Sequence, residues 1–172
     1  MSDAFGNSVA LVGNTVIIGA PWNDDFGIQS GSAYVFQFDG RSWIQRQKIL
    51  PTDGQAGDLF GQAVAFDGET ILIGAPRDDD VGSSAGAVYA FHWSPQSMSW
   101  VQTQKFYQGP PVFGGFQFGS SISMSTASDG TVWAIIGPSQ ASRAWLFRND
   151  LTGWTYQQTL LPTIPGAGNG SL

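Results

Sequence analysis

The feature that most limits the fold is a stretch that occurs twice almost intact. Phe60-Gly61-Gln62-Ala63-Val64-Ala65-Phe66-Asp67-Gly68-Glu69-Thr70-Ile71-Leu72-Ile73-Gly74-Ala75-Pro76 echoes the segment from Phe5-Gly6 to Gly19-Ala20-Pro21. A worn third copy runs from Phe118-Gly119 to Gly137-Pro138. Gly6 to Gly61 is 55 residues, Ala20 to Ala75 is again 55, and Gly61 to Gly119 is 58. Such a period means one supersecondary unit used repeatedly, each burying its faces against its neighbours. The 172 residues therefore read as a single domain, 1–172, with units near 3–54, 58–110 and 116–163 and a tail, 164–172.

Each unit offers four strands. The first covers Ser8–Val12, Ala63–Phe66 and Ser121–Ser125. Val9, Leu11, Val64, Phe66, Ile122 and Met124 alternate there with Ser or Ala, the period of two that marks a strand. The small face requires something packed very close to it. The second strand, Thr15–Ile18, Thr70–Ile73 and Thr131–Ile136, is continuously apolar and β-branched, as a strand covered on both faces must be. Gly13-Asn14, Gly68-Glu69 and Asp129-Gly130 supply tight-turn chemistry between the two. The third strand is Ala33–Phe36, Val88–Phe91 and Ala144–Phe147. The fourth opens at Trp43, Trp100 and Trp154, tryptophans that recur with the unit and are expected in the core. It continues polar, with Lys48 and Lys105, as an exposed edge needs to be. Four antiparallel strands with a small-faced inner strand and a polar outer one describe a propeller blade. The fold class is all-β, a partial propeller of three four-stranded antiparallel blades without a long helix.

Composition agrees and excludes several functions. Only 12% of residues are charged, while Gly numbers 23 and Phe, Trp and Tyr number 12, 7 and 4. Cysteine is absent, which removes disulfides, thiolate metal sites and cysteine nucleophiles. A net charge of −6 with seven scattered basic residues disfavours nucleic acid. No apolar run is long enough to span a membrane, and Met1-Ser2-Asp3 shows no signal-peptide pattern.

Phe-Gly, then Gly-Ala-Pro, then Tyr-x-Phe, then Trp resembles the FG-GAP repeat, the blade of integrin α-subunit heads and of many secreted bacterial and algal proteins. The motif residues here are Phe5, Gly6, Gly19, Ala20 and Pro21 in the first repeat and Phe60, Gly61, Gly74, Ala75 and Pro76 in the second. In the third, Phe118, Gly119 and Gly137 remain, and Gly137-Pro138-Ser139 replaces Gly-Ala-Pro. The resemblance implies a binding or assembly module rather than an enzyme, and an extracellular or cell-surface setting. Integrin-like repeats carry an Asp-rich calcium loop between the first two strands. Val12-Gly13-Asn14-Thr15 and Asp67-Gly68-Glu69-Thr70 are too short for one, so the chain resembles the form without it.

Strand alternation sorts the acidic residues onto two ends. Asp3, Asp24, Asp25, Asp53, Asp58, Asp78, Asp79 and Asp80 fall on one, together with Arg77 and Arg143. The densest loops are Trp22-Asn23-Asp24-Asp25 and Arg77-Asp78-Asp79-Asp80, the candidate ligand-binding residues. Asp24, Asp25, Asp78, Asp79 and Asp80 present hard oxygens of the kind Ca²⁺ takes six to eight of. The same aspartates could equally cap turns. Trp22 could stack on a sugar or pack on its own loop. Asp3 and Asp58, each two residues before a Phe-Gly pair, suit a structural role in bonding backbone. His92 is the one histidine, and no serine or cysteine partner is spaced for nucleophilic catalysis.

Three readings follow. The first is a non-enzymatic protein-association module. The second is a carbohydrate-binding or calcium-dependent adhesion domain using the acidic end. The third, a glycoside hydrolase, lacks a buried carboxyl in those loops. Closed propellers have four to eight blades, so three leave the outer faces of the first and third uncovered. A protein partner, a longer chain or self-association would cover them, and two copies would make a six-bladed ring with a twofold axis.

Overall fold

The computed structural model describes residues 3–150 and 152–163, so the 164–172 tail lies outside the described residues. It contains three four-stranded antiparallel sheets and, among the described residues, no helix. The first blade is β1 (Ser8–Val12), β2 (Thr15–Ala20), β3 (Ser32–Phe38) and β4 (Trp43–Ile49). The second is β5 (Ala63–Phe66), β6 (Thr70–Ala75), β7 (Ala87–Ser94) and β8 (Ser99–Phe106). The third is β9 (Ser121–Thr126), β10 (Val132–Gly137), β11 (Ala144–Asp150) and β12 (Gly153–Leu160). Strands pair in sequence order within every blade. The all-β partial propeller read from the repeat is the observed fold.

Alternation along the inner strands gives each blade two unlike faces. One is bulky. In the second blade Val64 opposes Ile73 and Phe66 opposes Ile71 across the β5–β6 ladder. The other is small, with Ala63 opposite Gly74 and Ala65 opposite Leu72. Blades stack bulky face onto small face. Ala10, Ile17, Ala33 and Val35 of the first blade share a core with Val64, Phe66, Ile71, Ile73, Tyr89 and Phe91 of the second. Ala65, Leu72, Val88 and Ala90 of the second share another with Ile122, Met124, Ala134, Ile136, Trp145 and Phe147 of the third.

The small face exists because backbone meets backbone there. A Cβ on Gly19 would run into the Gly61 carbonyl, and one on Gly74 into the Gly119 carbonyl. Gly61 and Gly119 themselves have φ of +92° and +89°, the left-handed region that side chains avoid. Thus the Phe-Gly glycine of one blade sits on the Gly-Ala-Pro glycine of the blade before it. Gly137 is also closely approached, but by a side chain. Its Cβ would meet only the Ser121 side chain of its own blade.

Two polar devices join neighbouring blades. An arm between the second and third strands offers three carbonyls as acceptors to the next blade. Ile28, Gln29 and Ser30 accept from the N–H groups of Gly57, Leu59 and Phe60; Ser83, Ser84 and Ala85 accept from Gly115, Gln117 and Phe118. The second device is an amide clamp on the outer strands. Gln47 Nε2 donates to Trp100 O at 2.9 Å while Trp100 N–H donates to Gln47 Oε1 at 2.8 Å. Gln104 clamps Trp154 identically, at 3.0 and 2.7 Å. A β-bulge aims each glutamine. The register shifts between Val35 and Phe36 and between Ala90 and Phe91, which leaves Arg46 and Thr103 unpaired just before the clamp residue.

One expectation about the core needs correcting. Trp154 is buried and Trp100 half-buried, but Trp43 is exposed. A clamped tryptophan is covered by the blade before its own, and among the described residues no blade stands before that of Trp43.

Candidate functional site

The acidic end is built by loops leaving β2 and β6 and by the connections between blades. Asp78 follows the Gly-Ala-Pro turn, where its backbone N–H bonds Ala75 O and its carbonyl accepts from Gly86. These bonds fold the loop back and turn the Asp78 side chain inward beneath Tyr89. Asp80 stands two residues on, and Asp53 arrives from the link between the first two blades.

The three carboxylates converge on a lysine. Lys105 Nζ lies 2.8 Å from Asp53, 2.7 Å from Asp78 and 2.5 Å from Asp80. Tyr89 donates its hydroxyl to Asp78 at 2.9 Å, and the ammonium stands 5.1 Å from the Tyr89 ring centre and 5.6 Å from that of Tyr107. Burial alone would push Lys105 down, yet the hydrogen bonds to Asp53, Asp78 and Asp80 outweigh it and hold the amine above its usual range. Burial would likewise raise Asp53, and the Lys105 contact more than reverses it.

A simpler version stands in the first blade. Lys48 pairs with Asp25 at 2.5 Å and lies 5.4 Å from the Tyr34 ring centre. Asn23 replaces the buried aspartate there and donates to Asp3 at 3.0 Å. The third blade has neither lysine nor long loop, since Gly137 to Ala144 spans 7 residues where Gly74 to Val88 spans 14.

The lysines therefore differ from the expectation of solvated edge guards. Each sits on an outer strand but reaches along it to the acidic end and serves as the loop's internal cation. A divalent ion at Asp78 and Asp80 would have to displace Lys105. Among the described residues, no group of three or more His, Asp or Glu is arranged to hold a metal ion. Asp24 accepts the Gln29 N–H at 2.8 Å, the turn-capping geometry. Asp79 and Arg77 are exposed and Trp22 is half-exposed, its backbone N–H bonded to Asp3 O. Arg77 occupies the position equivalent to Trp22, with its N–H on Asp58 O. The structure thus brings together Asp78 and Asp80 with Asp53 and Lys105. It leaves Trp22, Asp24, Arg77 and Asp79 at the rim.

Asp58 is buried and accepts the Gln55 N–H at 2.7 Å. Burial raises its carboxyl to about 6, opposed by that hydrogen bond and assisted by the Asp78 charge. An unfolded aspartate titrates near 4. Between these values the folded state holds the extra proton, so this group's contribution to stability falls as pH rises through the window. Asp58→Asn removes the effect. Urea unfolding at a series of pH values should show the variant gaining on the parent by on the order of 2 kcal/mol between pH ~4 and ~6. A difference that stays constant across the window would refute the assignment.

His92 bridges strands, its Nε2 2.8 Å from Thr70 Oγ1 and its Nδ1 3.0 Å from Thr103 Oγ1. At the far end, sequence reasoning missed a groove of about 410 Å³ between the first two blades. Trp93, Trp100, Met98 and Arg46 line it with Val35 and Gln37. The signal available was Trp93, which breaks the repeat.

No curated protein matches the chain. No helix among the described residues is long and apolar enough to cross a membrane. A family model described as FG-GAP repeat matches residues 1–36 and 43–91, the first blade and the second as far as β7, and the third blade repeats their sheet order and stacking. The chain belongs to the FG-GAP repeat family.

Proposed function

We propose that the chain is a non-enzymatic association module whose working surface is the bulky face of the first blade. One observation carries this reading. Phe5, Val9 and Leu11 are 52%, 66% and 61% exposed, whereas their equivalents Phe60, Val64 and Phe66 are 0%, 7% and 9% exposed. The residues are of the same kind, and only the covering neighbour differs. Phe38 and Trp43, their rings 5.4 Å apart, extend the same exposed apolar region. Contiguous apolar surface of this kind marks a protein interaction site. The acidic end supports a structural role beside it, because Asp25, Asp53, Asp78 and Asp80 are engaged internally by Lys48 and Lys105.

A photo-reactive phenylalanine analogue at Val9 tests the reading in the protein's native surroundings. Protein adducts are expected, and they should vanish when Leu11→Asp is added. Irradiation that yields no protein adduct at this position would overturn it.

A further inference from the structure

We propose that the partner of this face is a second copy of the chain, docking the small face of its third blade onto the bulky face of the first. The proposal rests on the association reading above and adds the identity of the occupant. It is argued from a junction that the chain builds twice and leaves half-built at each end.

Each internal junction has an amide clamp, an apolar plug and a glycine contact, the first adds a hydroxyl, and the third blade retains the donor half. Its amide clamp is Gln158, four residues after Trp154 as Gln47 follows Trp43 and Gln104 follows Trp100. The register shift between Leu146 and Phe147 leaves Gln157 unpaired just before it, the same bulge that aims Gln47 and Gln104. Gln158 is exposed and clamps nothing among the described residues. The hydroxyl that joins the first junction is Ser8 Oγ, which donates to Gly61 O at 2.8 Å. Its counterpart, Ser121, is exposed. The apolar plug is Ile17 in the first junction and Leu72 in the second, both 0% exposed, while the equivalent Ile135 is 40% exposed.

The first blade retains the acceptor half. Trp43 stands where Trp100 and Trp154 receive the clamp. A Cβ on Gly6, the counterpart of Gly61 and Gly119, would touch nothing within 4 Å. Val9 and Leu11 wait where Val64 and Phe66 receive Ile17. Docking would place Gln158 on Trp43, Ser121 on Gly6 and Ile135 against Val9 and Leu11. One part is missing. The third blade's short loop cannot supply the three arm carbonyls, so this junction is weaker than the internal ones and reversible. The face is also serine-rich at Ser121, Ser123 and Ser125, which keeps the unpaired end soluble.

Sedimentation velocity across a micromolar series tests the proposal. The parent chain is expected to associate with rising concentration. Leu11→Asp and Ile135→Asp should each abolish association while leaving the thermal melt intact, because both residues are solvent-exposed in the single copy. Gln158→Ala should weaken it roughly tenfold through two lost hydrogen bonds. The deciding measurement mixes the two aspartate variants. Each keeps the half the other has lost, so the mixture should form a heterodimer through one intact junction. A parent that stays monomeric to high micromolar concentration, association indifferent to both variants, or a mixture that remains monomeric would overturn the proposal. The cross-link at Val9 separates this from the broader reading. An adduct of homodimer mass supports self-association. An adduct to another protein alone refutes it and leaves the association module standing.

Discussion

Lys105→Met is expected to destabilise the fold by roughly 3 kcal/mol at neutral pH. Methionine keeps the length and apolar stem of lysine, so the loss isolates the charge. The lysine side chain is 11% exposed and that of Asp78 3%, which makes this pair the costly one to break. Asp53 and Asp80, at 41% and 36%, remain open enough to water that their share is small. Without the ammonium, Asp78 keeps the Tyr89 hydroxyl and the Asp80 N–H but no counter-charge. An uncompensated buried carboxylate is the reason breaking such a pair is expensive. Adding Asp78→Asn to Lys105→Met should therefore recover much of the loss.

The pH dependence follows with the same sign. The carboxylates hold Lys105 above its ordinary range against the opposing effect of burial. A raised folded value means the contribution is complete below the unfolded lysine value, near 10.4, and fades as pH climbs beyond it. Urea unfolding followed by tryptophan fluorescence should show the gap between parent and variant narrowing above that pH. A single variant within about 0.5 kcal/mol of the parent would mean that the cluster is a solvated surface network.

The repeat made the blades legible, and the reason is physical. Strand alternation, Gly–Gly spacing and turn residues are local or near-local signals, and a second copy of each confirmed the period. Thus β1, β2, β5 and β6 start where the sequence indicated. What the sequence hid was the partner of each side chain across blades. Lys105 and Asp80 are 25 residues apart, and Lys105 and Asp53 are 52. Their meeting depends on an outer strand of one blade running past the connection that precedes it. A lysine on a polar outer strand looks like an edge guard until that geometry is known. The clamp glutamines were legible in principle, since Gln47, Gln104 and Gln158 each follow a repeated tryptophan by four. Polar residues on an outer strand carry no signal of what they bind. The Trp93 groove was hidden for the opposite reason, because Arg46 and Trp93 come from strands of two blades, Met98 from the turn between β7 and β8, and none of them repeats.

Gly74→Val is expected to destabilise by about 3 kcal/mol or more, the upper end for overpacking. The Cβ would fall inside the contact radius of the Gly119 carbonyl and within 3.2 Å of the Gly119 Cα. These are backbone atoms, so no rotamer change can make room. Gly119 cannot retreat easily either. Its left-handed φ of +89° and the Gly74 contact hold the start of the third blade against the small face of the second. The strain must open the junction and uncover Leu72, Val88 and Phe118, all fully buried. Gly137→Val is the matched control. It has the same place in its own blade, but its Cβ meets only the Ser121 side chain, whose Oγ can rotate away. Valine also suits a strand, so the cost should stay below about 1 kcal/mol in the single copy. Thermal melts of the two variants at low protein concentration make the comparison. Equal losses would show that glycine serves the strand itself, and that blade-to-blade contact is not what excludes a side chain there.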